Sequence, residues 1–269
     1  MDLLAEIQKL KADRNAVILA HNYQLPDVQD AADFTGDSLE LSRKATEIDA
    51  DAIVFCGVHF MAETAAILNP DKTVLMPDAR AGCPMADMIT GAQLREFKAK
   101  RPGAKVVCYV NSTAEVKAES DCCCTSGNAA KIVAHYANDE VIFVPDQHLG
   151  SVVEEQLGRK LVLWPGYCPT HARIHPKDVL DLKAAHPGAL ALAHPECPKP
   201  VRIVADHVLS TGQMCRFVAE SPAREFIVAT EEGLIHRLKK DNPSKAFYRV
   251  SPFAVCPNMK RNTLEKVLF

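Results

Sequence analysis

The chain has 269 residues, of which 48% are hydrophobic, and a formal net charge of −3. That length suits two or three small domains better than one core, and the charge gives no general attraction to nucleic acid or an anionic membrane. No apolar run approaches the roughly 20 residues of a membrane span, and the N-terminus lacks the basic start and apolar stretch of a signal peptide, so a cytoplasmic location is expected.

Leu3, Leu4, Ile7 and Leu10 fall on one face of an amphipathic first helix. The same succession of elements then runs three times. Each third opens with a strand-like run: AVILAHN from Ala16, KVVCYVN from Lys105, ALALAH from Ala189. A polar loop leads through Ser or Thr into a helical pattern (GDSLELSRKA, CTSGNAAKIV, LSTGQMCRFV). A second strand follows (AIVFCG, VIFVPD, FIVAT), then a helix, then a third strand that ends at a Cys-Pro dipeptide. The three dipeptides begin at Cys83, Cys168 and Cys256 and divide the chain into near-equal thirds.

Strands separated by helical segments argue for an α/β fold of parallel βαβ units, with helices on both faces of each small sheet. Repeats of about 85 residues exceed the roughly 20–50-residue period of a solenoid. Three packed, pseudo-symmetric α/β/α domains are therefore expected: 1–88, 89–173 and 174–257, with residues 258–269 expected to pack back on the first.

Ten cysteines are many for such a chain. Cys56 and Cys108 lie inside apolar strand-like runs and read as core. Cys122, Cys123 and Cys124 are adjacent, so their side chains diverge, and they are left out of any metal site. Cys197-Pro198 follows a first strand rather than a third and reads as structural support, whereas Cys215 carries no assignment. One thiol at the same place in each unit leaves three sulfurs, Cys83, Cys168 and Cys256, around one centre with an open position. The proline suits the start of a following helix, whose positive end is expected to lower the thiol pKa. Three soft thiolates can hold zinc. A cubane iron–sulfur cluster instead leaves one iron open as a Lewis acid, able to promote loss of water.

Ligands of open parallel sheets bind beyond the C-terminal ends of the strands. The polar residues there are His21, Asn22 and Tyr23, then Tyr109 and Asn111, then His194 and Glu196. Ser38, Ser126 and the pair Ser210-Thr211 stand at helix starts. A hydroxyl there caps the helix, for about 1 kcal/mol, or helps to bind a carboxylate or phosphate. Both readings stand for these four residues.

Together these residues resemble the quinolinate synthase family (quinolinate synthetase A, short form). The likeness covers essentially the whole chain, on AHNYQ at 20–24, GDS at 36–38, GVHFMAET at 57–64, YVNS at 109–112, TSGNA at 125–129, WPGYCPTH at 164–171, AHPEC at 193–197, STGQM at 210–214 and VCPNM at 255–259. It implies a [4Fe–4S] cluster held by Cys83, Cys168 and Cys256, with one open iron. It also implies condensation of iminosuccinate with dihydroxyacetone phosphate to quinolinate, phosphate and water, and L-aspartate oxidase as the expected source of the unstable imine. Carried onto this chain, His21, Ser38, Tyr109, Asn111, Ser126, His194, Glu196, Ser210 and Thr211 hold substrate. Tyr23 and Glu196 serve as acid and base, with Tyr109 as a further candidate, and His194 orients the chain during cyclisation. Some relatives carry a CxxCxxC run at the last ligand. Here Cys256 stands alone, which removes any thiol switch at that position. The rival expectations are an iron–sulfur hydro-lyase acting on a small hydroxy acid and a non-catalytic iron–sulfur sensor. Phosphate release separates the synthase from both.

Overall fold

The computed structural model describes residues 2–269. Three times the chain runs helix, strand, helix, strand, helix, strand, helix, strand. The first unit comprises α1 (Leu3–Asp13), β1 (Ala16–His21), α2 (Pro26–Ala31), β2 (Phe34–Gly36), α3 (Ser38–Glu47), β3 (Ala52–Cys56), α4 (His59–Leu68) and β4 (Thr73–Leu75). The second comprises α5 (Gly91–Ala99), β5 (Lys105–Tyr109), α6 (Ala114–Ala118), β6 (Cys122–Cys124), α7 (Ala129–Ala134), β7 (Val141–Val144), α8 (Gln147–Leu157) and β8 (Val162–Leu163). The third comprises α9 (Pro176–Ala185), β9 (Leu190–Ala193), α10 (Lys199–Val204), β10 (His207–Val208), α11 (Thr211–Glu220), β11 (Glu225–Ala229), α12 (Leu234–Asp241) and β12 (Ala246–Arg249).

Each unit is a four-stranded parallel sheet in which the unit's strands stand in the order second, first, third, fourth. The two central strands of each sheet are nearly continuous in apolar residues, as sheets covered on both faces require. Ile18, Leu19, Ile53, Ile142, Phe143, Phe226 and Ile227 are all within 1% of full burial. Each such side chain contributes about 1.5–3 kcal/mol by leaving water. Each unit adds two elements to the succession expected between its first and second strands: a short helix, α2, α6 or α10, and the short edge strand β2, β6 or β10 that follows it. The triple cysteine is one of these edges. Its alternation puts Cys124 in the core beside Val107 and Val133 and leaves Cys123 exposed.

The last helix, α13 (Leu264–Leu268), closes the first unit, burying Leu264 with Ile7, Ile18 and Val28. Lys266 holds it by an ion pair to Asp78 at 2.7 Å. The first and third units are also joined by polar contacts. Buried Gln29 donates to the carbonyls of Asn22, Gln24 and Gly233, and a Cβ at Gly212 would lie 2.5 Å from the Asp37 carboxylate. Only glycine lets helix α11 approach that closely.

Candidate active site

The strands of all three sheets point their C-terminal ends at one cavity, and Cys83, Cys168 and Cys256 all line it. Each of these three Cys-Pro dipeptides opens a single 3-10 turn: Ala86–Met88, His171–Arg173 and Met259–Arg261. The local geometry repeats closely. The N–H three residues on, at Ala86, His171 or Met259, donates to the sulfur. The N–H four residues on donates to the cysteine carbonyl, at 3.2, 2.9 and 3.2 Å in turn. These amides favour a thiolate, but burial outweighs them. It pushes Cys83 up to about 12 and also raises the other two. The expected lowering by a helix end is thus overturned. One short turn has too small a dipole to offset a dry cavity, and the three thiols keep their protons at neutral pH.

Strand register places His21, Tyr109 and His194 at equivalent positions, with Tyr23, Asn111 and Glu196 two residues beyond. The two histidines share a local device. The N–H of Tyr23 donates to Nδ1 of His21 at 3.2 Å, and the N–H of Glu196 to Nδ1 of His194 at 3.3 Å. An accepting Nδ1 puts the single proton on Nε2, as a donor. Burial pulls both imidazoles down to about 3, against the opposing charge of Glu196. At neutral pH both are uncharged N–H donors.

Glu196 is buried and fully engaged. Its Oε1 accepts from the Tyr109 hydroxyl at 2.8 Å and from Asn111 Nδ2 at 3.1 Å. Its Oε2 lies 2.8 Å from Nδ1 of His171. Burial opposes ionisation of this carboxyl. His171, then His194, and the bonds from His171 and Tyr109 outweigh it and hold the carboxyl below the usual range. Nε2 of His171 meets the Thr230 hydroxyl at 2.8 Å, and Thr230 meets the Tyr23 hydroxyl at 2.6 Å. His171, Thr230 and Tyr23 thus form a hydrogen-bonded row across the three units, with Glu196 at ion-pair distance from Nδ1 of His171, a nitrogen that also lies 3.1 Å from Cys168 Sγ. Burial, aided by the Glu196 charge, drives the phenols of Tyr23 and Tyr109 well above their ordinary pKa, so both keep their protons.

The hydroxyls at helix starts divide into two kinds. Asp37 caps α3, accepting from the N–H groups of Leu39 and Glu40 at 3.0 and 2.9 Å. Ser210 caps α11, accepting from Gln213 at 3.3 Å. Ser38 and Thr211 are the first residues inside those helices, and Ser126 precedes α7 by a short turn capped by Asn128 Oδ1 on the Thr125 N–H at 2.7 Å. Ser38, Ser126 and Thr211 therefore have hydroxyls that cap nothing, and all three line the cavity. Ser210 is not among its lining residues. Asn111 Oδ1 is buried without a partner.

Three residues of consequence escaped the sequence reading. His171 stands in WPGYCPTH, three after Cys168, where a Cys-x-x-His spacing was its only signal. Thr230 and Glu231 follow β11 in the same way that Gly57 and Val58 follow β3, with no spacing to mark them. Glu231 accepts from the Cys256 N–H at 3.0 Å and from Gly233 at 2.7 Å, and pairs with Lys260 at 2.9 Å. Lys260 in turn donates to the Tyr23 carbonyl at 2.6 Å. The turn of the third cysteine is thereby tied to the first unit.

The donor set can hold a metal. Three soft sulfurs face one space, each with a backbone donor, and ligand atoms of Cys168, His171 and Glu196 lie within 4.8 Å of one another. No fourth cysteine lines the cavity among the described residues.

Comparison with known proteins gives a consistent result. A family described as quinolinate synthetase A protein matches residues 5–269. The quinolinate synthase of Dehalococcoides mccartyi strain CBDB1 is 62% identical over 263 residues, covering 98% of this chain and 87% of that protein. The quinolinate synthases of Thermodesulfovibrio yellowstonii and Methanoregula boonei are 55% and 56% identical, each over 98% of this chain and 87% and 88% of theirs. Among solved structures, a thiosulfate sulfurtransferase from Pseudomonas aeruginosa gives a TM-score of 0.21 at 15% identity, over 91% of this chain and 63% of that one, and bears on nothing here.

Proposed function

The chain belongs to the quinolinate synthetase A family, and we propose that it condenses iminosuccinate with dihydroxyacetone phosphate, releasing phosphate and water as the pyridine ring of quinolinate closes. It is an enzyme of NAD biosynthesis. A cytoplasmic location is the proposed one, and no described helix is long and apolar enough to cross a membrane. L-aspartate oxidase is the proposed supplier of the imine. Units divided near residues 88 and 173 are the proposed domains.

Cys83, Cys168 and Cys256 would hold a [4Fe–4S] cluster. The fit rests on three thiols with at least one backbone N–H bond each, since such bonds stabilise cluster sulfurs. When bound, the cluster supplies an open iron, a Lewis acid that assists loss of water. The remaining work falls to side chains. Both substrates are anions. The Nε2–H groups of His21 and His194, the hydroxyls of Ser38, Ser126 and Thr211, and Tyr109 and Asn111, whose donors otherwise rest on Glu196, bind and orient them, with Arg173 as a cation on the cavity lining. His194 keeps the joined carbon chain curled for cyclisation. Glu196, ionised beside the cavity, takes a proton, and Tyr23, still protonated, gives one.

The observation that carries this reading is the row Glu196, His171, Thr230 and Tyr23. It lines up a candidate base and a candidate acid along one wall of the cavity. The test is a single-turnover assay on protein purified without oxygen, after iron and sulfide have been counted. Quinolinate and phosphate formed in equal amounts support the reading. Dehydration of a hydroxy acid without phosphate release overturns it in favour of a hydro-lyase.

A further inference from the structure

The cysteines that the cavity does not use include a pair of contrasting exposure. Cys108 on β5 is fully buried, and Cys123 on the edge strand β6 is exposed. They are direct partners in the parallel ladder between these strands. Adjacent strands lie about 4.7–4.9 Å apart, inside the Cα separation of about 4.4–6.8 Å that a disulfide spans. Both side chains lie on the face covered by α5 and α6, where Cys108 packs with Val106 and Val116; its thiol lies beside that of Cys123 and donates to the Tyr109 carbonyl at 3.2 Å. Cys122 and Cys124 point to the opposite face, Cys122 towards Tyr136 and Cys124 into the core. Of the three adjacent cysteines, only Cys123 can reach Cys108.

We infer that Cys108 and Cys123 form a thiol–disulfide exchange site, in which exposed Cys123 is attacked or attacks first and buried Cys108 resolves. The charge around the pair favours that order. The bond from Cys108 pulls the Cys123 thiol down to about 7 against the effect of burial, and the Lys117 ammonium on α6 adds to it. Lys117 is held in place by the Phe60 carbonyl and the Thr64 hydroxyl, at 3.2 and 2.8 Å. Cys108 stays a thiol, so it leaves Cys123 as the nucleophile.

The co-reactant is a small-molecule disulfide. The Cys123 thiolate attacks one of its sulfurs, and the S–S bond breaks to give a protein mixed disulfide and one thiolate, which takes up a proton. Cys108 loses its proton and attacks the Cys123 sulfur, expelling the second small thiol. Two protein thiols are oxidised by two electrons, and one small disulfide is reduced to two thiols. The edge strand is three residues long, so it can yield to the shorter Cβ separation. The link would tie β5 to β6 immediately before Tyr109 and Thr125-Ser126, on the rim of the cavity.

The test uses the complete chain, kept free of oxygen and treated with oxidised glutathione at pH 7. Trypsin cuts after Lys105, Lys117 and Lys131, which puts Cys108 and the three adjacent cysteines on separate peptides. The expected product is those two peptides joined, lighter by two hydrogens, and parted by dithiothreitol. It survives Cys122→Ser and is lost in Cys123→Ser. Iodoacetamide is expected to label Cys123 about tenfold faster than Cys122. A stable glutathione adduct on Cys123 with Cys108 untouched, or a joined product that persists in Cys123→Ser, overturns the inference. Cys108→Ala checks the same step from the buried side: it is expected to take up glutathione on Cys123 more slowly and to stop at the mixed disulfide, and Cys123 joined to any other cysteine in that variant overturns the inference.

Discussion

The cavity has two regions built by opposite rules. The Cys-Pro turns are the same three times over: cysteine, proline, one 3-10 turn and an N–H aimed at the sulfur. The strand ends occupy equally equivalent positions but carry different chemistry, with His21, Tyr109 and His194 in one ring and Tyr23, Asn111 and Glu196 in the next. A centre bound from three sides can use identical ligands. A reaction with distinct acid, base and anion-binding steps cannot, so the second region has broken the symmetry that the first retains. Substitutions in the two regions are therefore expected to fail differently.

The largest effect belongs to the repeated region. Cys83→Ser, Cys168→Ser and Cys256→Ser are each expected to abolish intact cluster and activity together, as read by iron and sulfide content of protein prepared without oxygen. Cys122→Ser and Cys123→Ser are expected to retain both. Equal iron retention in either set erases the distinction between the two regions.

In the asymmetric region the metal content stays and the rate falls. Glu196→Gln keeps the shape but cannot accept a proton, and a fall of about 10²–10⁴ in kcat is expected, with iron content unchanged. Thr230→Val is the sharper probe, because it removes only the hydroxyl between His171 and Tyr23. A loss of about tenfold in kcat with KM nearly constant is expected if the row conducts a proton. A change confined to KM would mean that Thr230 only shapes the cavity. Glu231→Gln lies on the border between regions, since it leaves the Lys260 ammonium half-buried and weakens the hold on the Cys256 N–H. Faster loss of iron to a chelator is expected, with the rate of the remaining loaded enzyme close to normal.

The repeated region was the legible one. Its cysteines recur at fixed places, and the strands beside them have long apolar runs, so periodicity could find both. The edge strands β2, β6 and β10 have only two or three residues, too few for any alternation to register. Helices α2, α6 and α10 have five or six and suffer likewise. At α3 the cap is Asp37, one residue before the Ser38 considered, because a carboxylate accepts from helix N–H groups as readily as a hydroxyl does; of the pair Ser210-Thr211 the first is the cap. His171 illustrates the deeper difficulty. Its partners Glu196 and Thr230 belong to another unit, and their proximity exists only after the sheets have packed.

The smallest effect is on stability and comes from the paired histidines. His21 and His194 are 6% and 4% exposed, and burial pulls both down to about 3 in the folded chain, against about 6.5 when it is unfolded. Between those two values the unfolded chain binds protons that the folded chain refuses. Stability is therefore fully present above about pH 6.5 and is lost as the pH falls towards 3. The limiting slope is about 1.4 kcal/mol per histidine per pH unit, so unfolding the metal-free protein in urea at pH 7 and pH 5.5 is expected to show a fall of about 2 kcal/mol from the pair. His21→Asn is expected to remove about half of that fall, because His194 keeps its own backbone N–H on Nδ1. No change in the pH slope would mean that His21 takes up a proton in the folded cavity. The site would then bind its anionic substrates with a charge, and the uncharged N–H donor assigned to this half of the asymmetric region would be wrong.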